Sequence, residues 1–296
     1  MAAVSRSNNP YIDALIHVTK LDRTNLTYYF AKNSSETLTD LPFIHAFNSV
    51  QQNDYIKALY CYSSVCNLTF NPYGYSTYQV SKPPSLTASY VDLSSAAASG
   101  MSSGPQNWFY ANAGDPRPGT WDFTVFLHEI GHSLGLRHTF EPEAGVGGPM
   151  PADHAAWDYT VMCYGPDVVG GGTGDNQKLQ TLGLDDIRAI QYLYGANFKF
   201  NSGNTTYTWD NNTGEAFVNG AGQGAPILPC IFSVLWDGGG KDTYDLSNFT
   251  TNLKLDLQPG HWSSFGTLLP NGTSSKAIIP GNVANAYLAS FENRVG

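Results

Sequence analysis

The sequence predicts an α+β chain, with a mixed front part followed by an all-β back part. Three observations carry this reading. Apolar residues recur at helical spacing in several segments before residue 197. Runs rich in β-branched and aromatic residues lie between those segments. After Asn197, short strand-like pieces alternate with Gly, Asn and Asp clusters, and no helical pattern survives. A domain boundary is therefore expected near 197–200, dividing residues 1–197 from 198–296. A chain of 296 residues is long enough to bury a core in each part.

In chain order, a helix is expected over Tyr11–Thr19 and a strand at Leu26–Phe30. The segment before Leu26 has three open placements: across a cleft, along the back, or unstructured. Residues 40–63 read as a helix because Phe43, Phe47, Val50, Tyr55, Ala58 and Leu59 recur at roughly helical spacing. Strands are expected at Leu68–Phe70, Leu86–Leu93 and Trp108–Ala111. The second of these alternates Leu86, Ala88 and Tyr90 against Thr87, Ser89 and Val91. The strongest helix runs from Trp121 to Leu134, and a Gly- and Pro-rich loop follows from Gly145 to Gly174. A helix over Leu184–Leu193 opens on Asp185 and Asp186 and stops at Gly195, with acid at the start and glycine at the end. The back part offers strands at Thr205–Trp209, Ile231–Trp236, Leu253–Leu257 and Ala277–Ile279.

Fifteen basic side chains face 24 acidic ones, a formal net charge of −9. That balance argues against nucleic acid and anionic membranes as partners. Charged residues are 13% of the chain, about half the usual ~25%, a polar but weakly charged surface that suits secretion. No run approaches the ~20 apolar residues that span a bilayer. Met1-Ala-Ala-Val-Ser-Arg carries no signal-type apolar segment, so export would use another signal or the chain is trimmed. Cys61, Cys66, Cys163 and Cys230 are too few and scattered for a disulfide framework; buried free thiols are expected, with a Cys61–Cys66 bond as the alternative.

The chemistry lies in His128-Glu129-Ile130-Gly131-His132-Ser133-Leu134-Gly135-Leu136-Arg137-His138. On a helix, Phe123, Leu127, Ile130 and Leu134 fall within an arc of roughly 60°, and His128 and His132 point about 130–170° away. One face packs; the other offers two imidazoles one turn apart. Gly135 can take the positive φ that ends a helix, so the chain turns and His138 returns toward the same point. Three neutral nitrogens with one open position describe a catalytic zinc site. Glu129 is placed to act as general base on the attacking water. Single histidines are more often plain surface or core residues, and His17, His45, His154 and His261 are read that way.

At every fixed position this stretch resembles the long motif of the metzincin metalloproteases. The resemblance implies a twisted mixed sheet with an active-site helix, and a downstream turn with a methionine beneath the zinc. Tyr159-Thr160-Val161-Met162-Cys163-Tyr164-Gly165 fits that turn. Within the group, Tyr164 resembles the additional zinc ligand of serralysins and astacins, a phenol that swings away to stabilise the tetrahedral intermediate. The segment Leu184 to Asn197 resembles the helix closing the serralysin catalytic domain. Phe232 to Thr243 resembles the entry to that family's calcium-binding β-roll. Departures are Thr139 where serralysins usually carry Pro, and Cys163 where a small hydroxyl residue is usual. The Gly-Gly-x-Gly-x-Asp roll repeats are also missing, which reads as truncation or a shortened roll.

Calcium wants several oxygens, and Asp237 and Asp242, with glycines between them, can wrap such an ion. The resemblance implies one site completed by the carbonyls of Asn201, Gly203 and Gly239 with Thr205, and a second by Gly240, Asp242, Ser290 and Glu292. Asn204 stands where the family often has Asp.

Together these readings predict a secreted zinc endopeptidase, a monomer acting on unstructured protein segments, with one catalytic zinc, one or more structural calcium ions and room for a proteinaceous inhibitor. Strand Leu86–Leu93 would lie at the sheet edge above the zinc, where substrate adds as a further strand. The rival reading is a calcium-dependent binding or adhesive module with a vestigial protease domain. A third makes the peptidase a narrow processing enzyme.

Overall fold

The computed structural model describes residues 1–36, 44–75, 78–79, 81–91, 99–110, 114–165, 178–250, 252–265, 268–270, 276–278, 283–286 and 294–295. It is a mixed α+β structure. The front part begins with β1 (Ala2–Ala3), α1 (Pro10–Asp13) and β2 (Thr19–Lys20), with β1 antiparallel to β2. β3 (Asn25–Phe30), β4 (Ile44–His45), α2 (Ser49–Val65), β5 (Thr69–Pro72) and β6 (Leu86–Val91) follow, then β7 (Gly100–Ser103) and β8 (Gln106–Tyr110). Two long helices come next: α3 (Trp121–Leu134) and α4 (Leu184–Tyr194).

The main sheet runs β5-β3-β6-β8-β7, with β4 pairing the end of β6. β5, β3, β6 and β8 are parallel, and β7 closes one edge antiparallel to β8. This corrects one expectation. Leu86–Val91 lies inside the sheet between β3 and β8, and every residue of it is buried. Among the described residues the edge beside α3 is Gly100–Ser103.

Helix α3 is capped by Thr120, whose Oγ1 accepts from Phe123 N at 3.1 Å. Phe123, Leu127, Ile130 and Leu134 are all buried in the core, as the periodicity predicts. Two phenols pin the helix from its neighbours: Tyr62 of α2 donates to Leu127 O and Tyr194 of α4 donates to Leu134 O, each at 2.7 Å. Helix α2 begins after its cap Asn48, which pairs reciprocally with Gln51; of the helix expected over 40–63, residues 44–48 are not helical, Ile44–His45 forming β4, and 40–43 lie outside the described residues.

The first helix is much shorter than Tyr11–Thr19, because its backbone is used elsewhere. His17 N donates to Gly135 O, Arg137 N donates to Leu15 O, and Ile16 bridges Leu136. The N-terminal segment thus lies along α4 and the turn after α3, away from the cavity beside His128.

The back part comprises β9 (Thr206–Trp209), β10 (Ala216–Val218), β11 (Ala221–Gly222), β12 (Ser233–Leu235), β13 (Thr243–Tyr244), β14 (Trp262–Ser263), β15 (Leu268–Pro270), β16 (Lys276–Ile278), β17 (Val283–Asn285) and β18 (Arg294–Val295). They form a sheet ordered β11-β10-β9-β13-β18, a sheet ordered β12-β17-β14, and the β15-β16 pair. Tyr207, Trp209, Ile231, Tyr244, Leu246 and Phe265 make a second core. Phe232, Val234 and Trp236 instead join the core around the long helices. Alternate residues of one segment therefore serve two cores.

All four cysteines are free thiols. Burial pushes Cys61, Cys66 and Cys230 up to about 12 and raises Cys163 as well. The thiolate is the nucleophile, so iodoacetamide at pH 8 should label none of them in the folded chain and all four in denaturant. Mass spectrometry of the treated protein checks this.

Candidate metal centre

The helix end decides the geometry. Gly135 caps α3 with φ 99° and ψ 22°, the left-handed conformation that glycine adopts without Cβ strain. The chain then reverses and returns His138 to the imidazoles of His128 and His132. The three Nε2 atoms are 3.0, 3.1 and 3.2 Å apart. A point about 2.1 Å from all three exists just off their plane, which is the zinc–imidazole distance. Among the described residues no other three His, Cys, Asp or Glu side chains converge in this way.

Each ring is oriented from its other nitrogen. His128 Nδ1 lies 2.7 Å from Val161 O, His132 Nδ1 3.0 Å from Leu136 O, and His138 Nδ1 2.9 Å from Glu141 Oε1. All three partners can only accept, so each Nδ1 carries the hydrogen and each Nε2 turns a lone pair inward. Burial, with a neighbouring imidazole, pushes His128 down to about 3; burial chiefly pushes His132 to about 4. Three converging Nε2 lone pairs fit zinc.

Beneath the rings, Met162 is fully buried. A Cβ at Gly131 would sit 2.9 Å from both Met162 Sδ and Tyr62 Oη, so the glycine is needed for that packing. Asp186 holds the turn: its carboxylate accepts from Thr160 Oγ1 (2.6 Å), Val161 N (2.8 Å) and Gly183 N (2.9 Å). The sequence pattern had given Asp186 only a helix-start role.

Glu129 is 5% exposed and faces a cavity of ≈ 490 Å³ beside His128 and Tyr164. Burial pushes its carboxyl up to about 8; a divalent cation on the three imidazoles would bring it down again, to the carboxylate that a base needs. Edge strand β7 passes close above it, since a Cβ on Gly100 would lie 2.8 Å from Glu129 Oε1. Trp121 and Trp157 form the far wall, edge to face at 5.2 Å. Tyr164 is 63% exposed, its ring 4.8 Å from that of His138 and 5.3 Å from Phe140. Phe140 also stacks on His138 at 5.0 Å and 9°. Sequence reasoning missed Phe140, Glu141 and both tryptophans; only Glu141, three residues after His138, left a spacing signal.

The histidines read as ordinary stay apart from this centre. His17, His154 and His261 each face one carboxylate, of Glu143, Asp185 and Asp256, and His45 sits on β4.

The family described as Peptidase M10 serralysin C terminal matches residues 196–290. Metallopeptidase AprA of Pseudomonas marginalis is 30% identical over 289 residues, covering 90% of this chain. The chain is a serralysin relative. Serralysin of Proteus mirabilis is 30% identical over 266 residues, and metalloprotease AprA of Pseudomonas entomophila is 36% identical over 197. The chain spans 58%, 53% and 39% of the lengths of these three proteins.

In this serralysin relative the loops 201–205 and 237–242 lie together. Thr205 N donates to Asp242 Oδ1 at 2.9 Å, and Thr205 Oγ1 donates to Gly203 O at 3.0 Å and Asn201 O at 3.3 Å. Asp237 Oδ1 accepts from Gly239 N at 2.7 Å, and Gly240 packs against the Gly203 carbonyl too closely for any side chain. Asn204 Oδ1 accepts from Lys241 N at 2.9 Å. Burial pushes Asp237 up to about 6 and raises Asp242. Asp242 Oδ2 is buried with no hydrogen-bond partner. An orphaned carboxylate oxygen among carbonyls fits a hard cation. Ser290 and Glu292 lie outside the described residues.

Proposed function

We propose that the chain is a secreted zinc endopeptidase with a metzincin catalytic domain, residues 1–197, followed by an all-β calcium-binding part that resembles the start of a β-roll, residues 198–296. The single observation that carries the peptidase reading is the convergence of three Nε2 lone pairs beside a buried carboxyl and an open cavity.

His128, His132 and His138 would hold zinc, with Tyr164 an additional ligand and Met162 supporting the site from below. Bound there, zinc supplies Lewis-acid polarisation of the scissile carbonyl and makes water more acidic. The substrate backbone would add beside β7, the edge of the sheet among the described residues. Glu129 takes a proton from water as its oxygen bonds to the carbonyl carbon, then delivers that proton to the amide nitrogen as the C–N bond breaks. The Tyr164 phenol donates to the developing oxyanion. The Trp121 and Trp157 wall favours an apolar substrate side chain beside the scissile bond.

Casein hydrolysis by the purified chain tests this reading. The expected result is cleavage that 1,10-phenanthroline abolishes and zinc restores. Absence of cleavage together with a calcium-dependent protein partner would favour the binding module instead. Secretion is proposed from the weakly charged polar surface; no helix among the described residues is long and apolar enough to cross a membrane.

Asn201, Gly203, Thr205, Asp237, Gly239, Gly240 and Asp242 would hold calcium, with Ser290 and Glu292 completing the second site. Binding to the folded state raises stability by mass action, about 2.7 kcal/mol at a hundredfold excess over Kd. Chelation by EGTA should lower the melting temperature by several degrees, calcium should restore it, and Asp242→Ala should remove the response. Scanning calorimetry with and without calcium checks all three.

A further inference from the structure

Two aromatic rings stand exposed beside the metal centre, and the chemistry proposed above uses only one of them. Phe140 is half exposed and Tyr164 more so. The Phe140 ring stacks on the His138 imidazole, 5.0 Å between centroids and 9° between planes, so its exposed half lies away from that residue. A single exposed apolar side chain is ordinary on a protein surface. This one is continuous with the cleft. Tyr164, 5.3 Å from Phe140, also lines the cavity formed by His128, Glu129, Trp121 and Trp157, and so stands between that cavity and Phe140.

The backbone holds Phe140 in place. Thr139 N donates to Met162 O at 3.3 Å, and Thr139 O accepts from Met150 N at 2.7 Å. A proline in place of Thr139 would have no N–H to give. On the other side, Glu141 N donates to His138 O at 3.3 Å. A ring fixed from both neighbours presents its apolar area with little left to lose in conformational freedom.

We propose that Phe140 is a specificity-determining residue. Its open half, with the Tyr164 ring, forms a second subsite for an aromatic or large aliphatic side chain of the substrate. That side chain lies across the scissile bond from the one held by the two tryptophans. In an extended peptide a residue and the next but one face the same way, about 7 Å apart. A substrate with one side chain in the tryptophan-walled cavity therefore brings the next but one over Phe140, with the scissile bond between them. The inference deepens the peptidase reading and rests on it. The substrate class it names is peptides with two apolar residues that bracket the bond to be cut.

Cleavage of a randomised peptide mixture by the full chain, with products identified by mass spectrometry, tests it. The unaltered chain should show an apolar preference at one position on each side of the cut. Trp157→Ala should flatten one of these preferences and Phe140→Ala the other. At the position Phe140 governs, the ratio of kcat/KM for phenylalanine over alanine should fall about tenfold. Phe140→Tyr keeps the ring and should keep the preference. Phe140→Leu keeps an apolar cover on His138 and should turn the preference toward aliphatic side chains, a readout that remains if the alanine variant folds poorly. Zinc content of each preparation separates loss of metal from loss of the subsite. An unchanged preference in the Phe140 variants with zinc in place, or a change only on the side that Trp157 governs, would overturn the proposal and leave the peptidase reading standing. No cleavage by the zinc-loaded, unaltered chain would overturn both.

Discussion

Glu129→Gln should keep its zinc and lose activity by a factor of about 10²–10⁴, the usual contribution of a positioned general base. The amide is nearly isosteric, so it preserves the contact with Gly100 and the cavity wall. It cannot accept the water proton. The loss should fall on kcat with KM little changed, because Glu129 acts on the water rather than on substrate binding. Casein hydrolysis and metal analysis of the same preparation check both halves. Undiminished turnover with zinc in place would remove Glu129 from the mechanism.

Arg137→Met should weaken zinc binding although Arg137 touches none of the ligands' ring nitrogens. The guanidinium is almost fully buried and donates through Nε to Ile16 O at 3.1 Å. Through Nη2 it reaches Asp13 O at 2.9 Å, Gly147 O at 3.0 Å and Gly148 O at 3.1 Å. It therefore ties the N-terminal segment and the 147–148 loop to the turn that returns His138. Losing these bonds should cost about 3 kcal/mol of stability, since buried acceptors are left unpaired. Zinc affinity should fall about 10- to 100-fold, the usual effect of losing support for a ligand. Chelator competition reads the affinity and calorimetry the stability. Arg137→Lys, with fewer donors, should lie between.

Why α3 was readable and its surroundings were not follows from where the information sits. Phe123, Leu127, Ile130, Leu134 and Gly135 state the packed face and the stop in side-chain types, and the histidines occupy the remaining face. The edge strand β7 reads Gly-Met-Ser-Ser, with no β-branched or aromatic signal, so it left no mark. Leu86–Leu93 is expected at the sheet edge, yet Thr87 and Ser89, which alternate with its apolar residues, are buried between parallel neighbours. The first helix was overestimated because residues 15–17 pair with 135–137, a tertiary contact that local periodicity cannot report. The acceptors that orient His128 and His132 are backbone carbonyls, which any sequence supplies.

Zinc K-edge X-ray absorption on the purified chain tests the central claim most directly. The account predicts about one zinc per chain with three imidazole shells near 2.0–2.1 Å, light oxygen scatterers in the remaining positions and no sulfur. A sulfur shell near 2.3 Å, which would place a thiolate on the metal, or fewer than three imidazoles would contradict it.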